Sequence, residues 1–267
     1  MNVESDLRAD LIGTAHEVAD AAQKETLQHF RQTNLSTENK SADDFDPVTI
    51  ADRAAERAMR EVIMRRRPED GILGEEFGSI NGTSGLTWVL DPIDGTRGYI
   101  SGAPTWGTLI AVGPEDGPIL GVVDQPYIGE RFIGGLGQAA MIRNGLETPI
   151  ATRAPRTLET ATLYSTFPEV GDAAEKAAFD VLQSQVRLTR FGTDCYAYAL
   201  MALGQIDLVV EAGLHVYDIQ GPMAVVQAAG GIVTNWSGGA AHQGGRVLAA
   251  ANAEIHAQAI AALNWKE

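Results

Sequence analysis

One cysteine, Cys195, is all the thiol the 267-residue chain carries. No internal disulfide framework is possible, which points to a reducing compartment, with the cytoplasm as the expected location. Long apolar runs are missing as well. No window approaches the ~20 apolar residues of a membrane-spanning helix. The opening residues, Met1 to Asp10, lack the basic start and apolar core of a secretory signal. Positive charge is scarce, with 20 Lys and Arg against 35 Asp and Glu and a formal net charge of −15. The single basic cluster, Arg65-Arg66-Arg67, falls at the expected end of a helix, where cations complement the helix dipole. A whole-chain basic footprint for nucleic acid is therefore absent, and neither a nucleic acid nor a membrane is an expected partner. There is no internal repeat and no low-complexity linker.

What is present describes a folded globule. Hydrophobic residues make up 45% and charged residues 21%, the composition of a globular protein rather than a disordered one. The length allows one large domain or two small ones around a substantial core. Apolar residues Leu7, Leu11, Ala15, Val18, Ala22 and Leu27 keep near-helical spacing, which predicts a long helix over 4–31. A polar loop or short hairpin follows over 33–46. A second helix is expected over 49–67, with Ala51, Ala55, Met59, Val62 and Ile63 inward and Pro68 ending it. A short strand at 71–74 leads into Glu75-Glu76.

From 87 to 150, short apolar runs at 87–90, 105–112, 119–124, 131–134 and 139–143 are separated by Gly, Pro and Asn. They read as a β-meander, a mainly antiparallel sheet covered by the two preceding helices. From 151 the order alternates. Strands are expected at 161–165, 186–190, 207–211, 232–235 and 247–250, and helices at 172–183, 194–203, 218–229 and 253–264. Such alternation argues for an α/β layer sandwich. The change of pattern divides the chain into an N-terminal α+β part, 1–150, and a C-terminal α/β part, 151–267.

The most informative segment is Trp88-Val89-Leu90-Asp91-Pro92-Ile93-Asp94-Gly95-Thr96. An apolar strand ends on two carboxylates three residues apart, and a Gly-Thr pair follows. Asp91 and Asp94 can aim hard oxygen ligands at one point, which suits Mg²⁺. Gly95 and Thr96 can open a helix whose backbone N–H groups face an anion. Metal beside phosphate is the equipment of phosphate-ester chemistry. Three further acids stand at element ends: Asp52 in the first turn of the second helix, Glu75 after the short strand, and Asp218 at the start of a later helix. Each has a plainer reading. Asp52 and Asp218 could be helix-start residues favoured by the dipole, and Glu75 a solvated turn acid. Together they are what a multi-metal site assembles from distant segments.

The motifs Lys40…Asp46-Pro-Val-Thr-Ile-Ala-Asp52, Gly74-Glu75-Glu76, Trp88…Thr96 and Gly213-Leu-His215-Val-Tyr217-Asp218 resemble, in order, the signature of the inositol monophosphatase family of Mg²⁺-dependent, lithium-sensitive phosphatases. Matching segments run from about residue 7 to 263. The resemblance implies a five-layer αβαβα sandwich, a site taking two or three Mg²⁺ ions, and a homodimer. It implies that Glu75, Asp91 and the Ile93 carbonyl hold one metal, that Asp91, Asp94 and Asp218 hold a second, and that Glu75 reaches a third, water-bound ion. Asp52 and Thr96 resemble the pair that orients the attacking water. The amides of Gly95 and Thr96 would hold phosphate, and Lys40 resembles a residue near the metal waters. No covalent nucleophile is required, so Cys195 is expected to be a small buried residue.

Within the family, Arg97-Gly-Tyr99-Ile-Ser-Gly-Ala-Pro-Thr105-Trp106-Gly-Thr-Leu-Ile and Arg190-Phe-Gly-Thr-Asp194-Cys195-Tyr196-Ala-Tyr198 resemble the histidinol-phosphate phosphatase branch. The resemblance implies substrate contacts from Asp94, Asp194, Glu211 and Arg190. Asp194 has a competing reading as a helix N-cap, Glu211 one as a surface acid, and His215 is expected to position the Asp218 turn. Pro222 departs from the family pattern and is expected in the first turn of its helix, where proline is tolerated. The alternatives are an inositol or broad sugar-phosphate phosphatase, and, from a different class, a regulatory or RNA-related interaction protein of the same family.

Overall fold

The computed structural model describes residues 5–32, 37–39, 47–154 and 157–266. Lys40, Asp46 and most of the expected 33–46 loop lie outside the described residues. The first helix, α1, spans Ser5–His29, and the short strands β1 (Thr37–Asn39) and β2 (Pro47–Thr49) pair antiparallel. Helix α2 spans Ile50–Arg66. Thr49 caps it, and its third residue, Asp52, accepts the Thr49 backbone N–H at 2.8 Å, a reciprocal capping box.

Eight strands form the first sheet: β3 (Gly71–Gly74), β4 (Gly78–Ile80), β5 (Thr87–Asp94), β6 (Gly107–Gly113), β7 (Leu120–Gln125), β8 (Glu130–Gly135), β9 (Gln138–Arg143) and β10 (Leu146–Pro149), with helix α3 (Thr96–Ser101) between β5 and β6. Their order is β10-β9-β8-β7-β6-β5-β3-β4, and only the β3–β5 pair is parallel. The second sheet comprises β11 (Thr162–Ser165), β12 (Leu188–Phe191), β13 (Leu208–Leu214), β14 (Ile232–Thr234) and β15 (Gly245–Ala250) in the order β12-β11-β13-β15-β14. Helices α4 (Ala173–Gln183), α5 (Tyr196–Ala202), α6 (Val216–Ala228) and α7 (Ala253–Leu263) complete the chain, with one 3₁₀ turn at Leu158–Thr160.

Side-chain alternation along the strands explains the layering. Ile110, Val112 and Val122 turn towards α1 and α2, where they join Leu11, Val18, Met59 and Ile63. Leu109 and Val123 turn the other way, towards Met201, Ile219 and Met223 of α5 and α6. Val209 and Ala249 of the second sheet close the same core from below. Their neighbours Leu208, Val210 and Leu248 face Phe179, Ile255 and Leu263 of α4 and α7. The result is the five-layer αβαβα sandwich.

Helix α6 packs so closely that no side chain fits between its backbone and the sheet: a Cβ on Gly121 would lie 2.3 Å from the Gly221 carbonyl oxygen. Pro222 is not in the first helical turn as expected. The helix begins two residues before Asp218, which puts the proline in the second turn and removes the hydrogen bond its nitrogen would donate to the Asp218 carbonyl.

Candidate metal and phosphate site

The carboxylates converge because β5 is irregular where it ends. In a regular strand Asp91 and Asp94, three apart, would face opposite sides of the sheet. The pairing with β6 shifts between them: Asp91 lies opposite Leu109 and Asp94 opposite Gly107, so an extra residue is inserted on β5. Such a bulge re-aims side chains. The Thr108 hydroxyl fixes it by donating to the Pro92 carbonyl at 2.8 Å. Asp91 accepts the Ile93 amide at 3.0 Å, and Thr96 Oγ1 donates to the Ile93 carbonyl at 3.1 Å.

Asp218 arrives from the opposite layer, at the third position of α6. It accepts the backbone N–H of the cap residue His215 at 2.6 Å. The His215 ring stacks on Tyr217, centroids 5.2 Å apart. Asp91, Asp94 and Asp218 each offer an oxygen, and the three oxygens lie within 4.8 Å of one another. Burial pushes the Asp91 carboxyl well above its ordinary range, and the charges of Glu75, Asp94 and Asp218 push it further. Asp94 is raised by burial and then by Asp194 and Asp218, against the Cys195 amide that donates to it at 2.7 Å. Asp52, 1% exposed, is pushed up to about 6 by burial, with Glu75 adding to the shift and the Thr49 hydrogen bonds opposing it. Glu75 therefore faces both Asp91 and Asp52.

Hard oxygen donors, buried at Asp91, half-buried at Asp94 and Asp218, and mutually repelling, are a donor set that suits a divalent cation. The residues present thus fit the group. Asp91, Asp94 and Asp218 could hold one ion directly, with Glu75 beside them.

Next to this cluster, Gly95 sits at φ 85° and precedes α3. A Cβ there would lie 2.8 Å from the Asp194 carboxyl carbon, so glycine is required both by the left-handed backbone and by the docking of Asp194. Asp194 is not the N-cap of α5. Cys195 occupies that place, and Asp194 itself takes φ 44° and accepts the Thr105 hydroxyl at 3.4 Å. Burial raises the Asp194 carboxyl to about 6 against the pull of Thr105 and Arg97. Glu211 is no surface acid: it is 6% exposed and accepts the Thr166 amide at 2.8 Å and the Thr166 hydroxyl at 3.0 Å. Burial pushes it up to about 8, and the Asp194 charge adds to the shift. Asp194 is thus a common neighbour of Asp94 and Glu211.

Arg190 stands apart. Its backbone pairs with β11 on the edge strand β12, and its exposed side chain makes no hydrogen bond or ion pair among the described residues. Cys195 is buried, its sulfur against Gly107. Three nearby groups escaped the sequence reading as site residues. Thr105 holds Asp194. Arg97 bears on Asp194 and lies over the Phe167 ring at 5.0 Å. The Tyr198 hydroxyl, buried and without a hydrogen-bond partner among the described residues, feels the charges of Glu211, Asp94 and Asp218. In the sequence Tyr198 only closes the Arg190–Tyr198 motif, and nothing local gives its hydroxyl a role.

The fold and this constellation define a metal-assisted phosphatase type, and comparison with known proteins gives the family. Residues 8–266 match the inositol monophosphatase family, to which the chain belongs. A bifunctional phosphatase, the chloroplastic IMPL2 of Arabidopsis thaliana, is 39% identical over 93% of this chain and 73% of its own length. A histidinol-phosphatase of Streptomyces coelicolor is 34% identical over 96% of this chain and 98% of its own. The Nus factor SuhB of Pasteurella multocida is 30% identical over 83% of each chain. Among solved structures, an inositol monophosphatase from Zymomonas mobilis superposes with a TM-score of 0.85 at 38% identity, covering 96% of this chain and 98% of that one. Among the described residues no helix is long and apolar enough to cross a membrane.

Proposed function

We propose that the chain is a Mg²⁺-dependent phosphate-monoester hydrolase acting on L-histidinol phosphate. The observation that carries the substrate is the pair Asp194 and Glu211. Glu211 is buried and Asp194 half-buried, both beside the Asp94 end of the metal cluster, and desolvation that nothing nearby fully offsets pushes them up to about 8 and about 6. A substrate whose organic part is cationic relieves that cost. An ammonium or a protonated imidazole does so, whereas the neutral hydroxyls of an inositol ring do not. Each charge-assisted hydrogen bond is worth ~1.5–3 kcal/mol, about tenfold or more in specificity.

In this reading Glu75, Asp91, Asp94, Asp218 and the Ile93 carbonyl would hold the metal, as two or three ions. Mg²⁺ held by these residues would supply a lowered water pKa and positive charge for the leaving oxygen. The chain's own residues supply position. Asp52 and Thr96 orient the water, and Asp52, raised to about 6, is suited to take its proton near neutrality. The amides of Gly95 and Thr96 hold the phosphate. The new P–O bond forms from water as the ester P–O bond breaks, and the alcohol leaves with a proton returned from solvent. Two copies of the chain form the working unit.

The histidinol-phosphatase name of a relative spanning nearly the whole chain supports this substrate. The second reading, an inositol phosphatase, is favoured by the Zymomonas structure at 38% identity. Phosphate release from a panel of phosphate monoesters with Mg²⁺, ranked by kcat/KM, separates the two. Hydrolysis of no monoester at all would sink both.

A further inference from the structure

Three residues one turn apart on α2, Asp52, Glu56 and Arg60, share the helix face that looks onto the β3–β4 turn. Glu56 is fully buried. Its carboxylate accepts the backbone N–H of Glu76 at 2.6 Å and of Phe77 at 3.2 Å, the two residues after Glu75. Arg60 donates through Nε to the same carboxylate at 2.7 Å and through Nη2 to the Gly78 carbonyl at the far end of the turn. Arg53 approaches the Glu76 carboxylate at 4.0 Å, and the guanidinium groups of Arg57 and Arg60 lie 5.6 and 6.0 Å from the Phe77 ring centroid. Gly74, just before Glu75, leaves the room this needs: a Cβ there would lie 2.1 Å from Glu56 Oε1. On its other side, the Glu75 amide donates to the Leu90 carbonyl at 3.2 Å, one residue before Asp91.

We propose that the buried Glu56–Arg60 pair is a clamp that presets Glu75 for the divalent cation and holds it in register with Asp52 on the same helix. The inference rests on reading Glu75 as a metal-site residue. An exposed acidic turn is free to swing, and a swinging ligand spends binding free energy on becoming ordered. A carboxylate accepting two successive amides fixes the peptide planes around Glu75, while Arg60 balances the buried charge and ties the end of the turn. Burying the pair is favourable only with this full set of hydrogen bonds. Glu56 touches neither substrate nor metal. It is a positioning residue.

Three measurements on the full chain test the clamp. Hydrogen exchange of the metal-free wild type should find the Glu76 and Phe77 amides among the protected ones, although Phe77 itself is 43% exposed. Titration calorimetry with Mg²⁺ should find Glu56→Gln, which keeps one acceptor and loses the charge, about tenfold weaker than wild type, the usual size of an effect from beyond the direct ligands. KM for the phosphate ester at saturating Mg²⁺ should stay near the wild-type value, and excess Mg²⁺ should recover most of kcat. Arg60→Lys, which keeps the charge but not the two-ended reach, should shift Mg²⁺ affinity in the same direction by less.

Fast exchange of both amides overturns the clamp, including where Glu56→Gln fails to fold. So does a folded Glu56→Gln protein whose Mg²⁺ affinity equals wild type while Glu75→Gln abolishes binding. A wild-type chain that takes up no Mg²⁺ overturns the metal reading itself, and the clamp with it.

Discussion

Asp91→Asn should make the metal-free protein more stable and the Mg²⁺-loaded protein less so. The amide keeps the oxygen that accepts the Ile93 N–H at 3.0 Å and changes the side-chain volume little. What it removes is a buried negative charge whose oxygen lies within 4.8 Å of those of Asp94 and Asp218. At that separation two ionised carboxylates repel by roughly 3.5 kcal/mol at an effective dielectric constant near ~20. Proton uptake relieves part of this, since burial and mutual repulsion already raise the Asp91 and Asp94 carboxyls. A net gain of ~1–3 kcal/mol remains, roughly 2–5 °C in Tm for a chain of this size. Bound ligand stabilises by mass action, ~2.7 kcal/mol at a hundredfold excess over Kd. The variant should lose most of that gain, because Asp91 stands at the centre of the acidic cluster. Thermal melts in chelator and in excess Mg²⁺ should therefore invert the order of the two proteins. A lower Tm for Asp91→Asn in chelator, or an Mg²⁺-induced rise equal to wild type, would refute the reasoning.

Thr96→Ala should lower kcat by ~10²-fold or more while changing KM little, because the hydroxyl orients water whereas backbone amides hold phosphate; a rise in KM alone would make Thr96 a binding residue. Asp207→Ala should cost ~3–5 kcal/mol, measured by urea unfolding, because the fully buried Asp207 carboxylate pairs with Arg153 and accepts the Thr162 amide at 2.7 Å; a loss under about 1 kcal/mol would show the pair to be an exposed-type bridge. Glu211→Gln should flatten the fall of metal-free stability with pH. Folding raises the Glu211 carboxyl from 4.5 to about 8, so between those values the unfolded state has lost a proton that the folded state keeps. Stability then falls with rising pH by up to ~1.4 kcal/mol per pH unit, and equal slopes for the two proteins would contradict the buried, protonated Glu211.

The parts of the structure that were legible from sequence are those set by local pattern. Helical spacing of Leu11, Ala15, Val18 and Ala22 marked α1, and all four are buried against the sheet. The Trp88 strand ending in Asp91 and Asp94 announced the cluster, because strand, carboxylates and glycine are contiguous. What was not legible depends on distant partners. Nothing near Asp91 reports the bulge that turns both carboxylates the same way, since it is defined by pairing with β6. Strands β4 and β10 are short, exposed edges with no apolar alternation to betray them. Asp194 carries an N-cap signature ahead of a helix, yet its side chain is drawn off by Thr105 and the space above Gly95. Glu56 carries no signal of its own in the sequence, and only the β3–β4 turn gives it a purpose.

The most direct test is the ratio of kcat/KM for L-histidinol phosphate to that for inositol-1-phosphate, in Mg²⁺, for wild type and Asp194→Asn. A cationic substrate read by Asp194 and Glu211 requires a wild-type ratio well above one. It also requires that Asp194→Asn raise KM for histidinol phosphate about tenfold and leave the inositol ester nearly untouched, with the Mg²⁺ requirement unchanged. A wild-type ratio below one, or equal losses on both esters, would contradict the assignment and leave the inositol-phosphatase reading in its place.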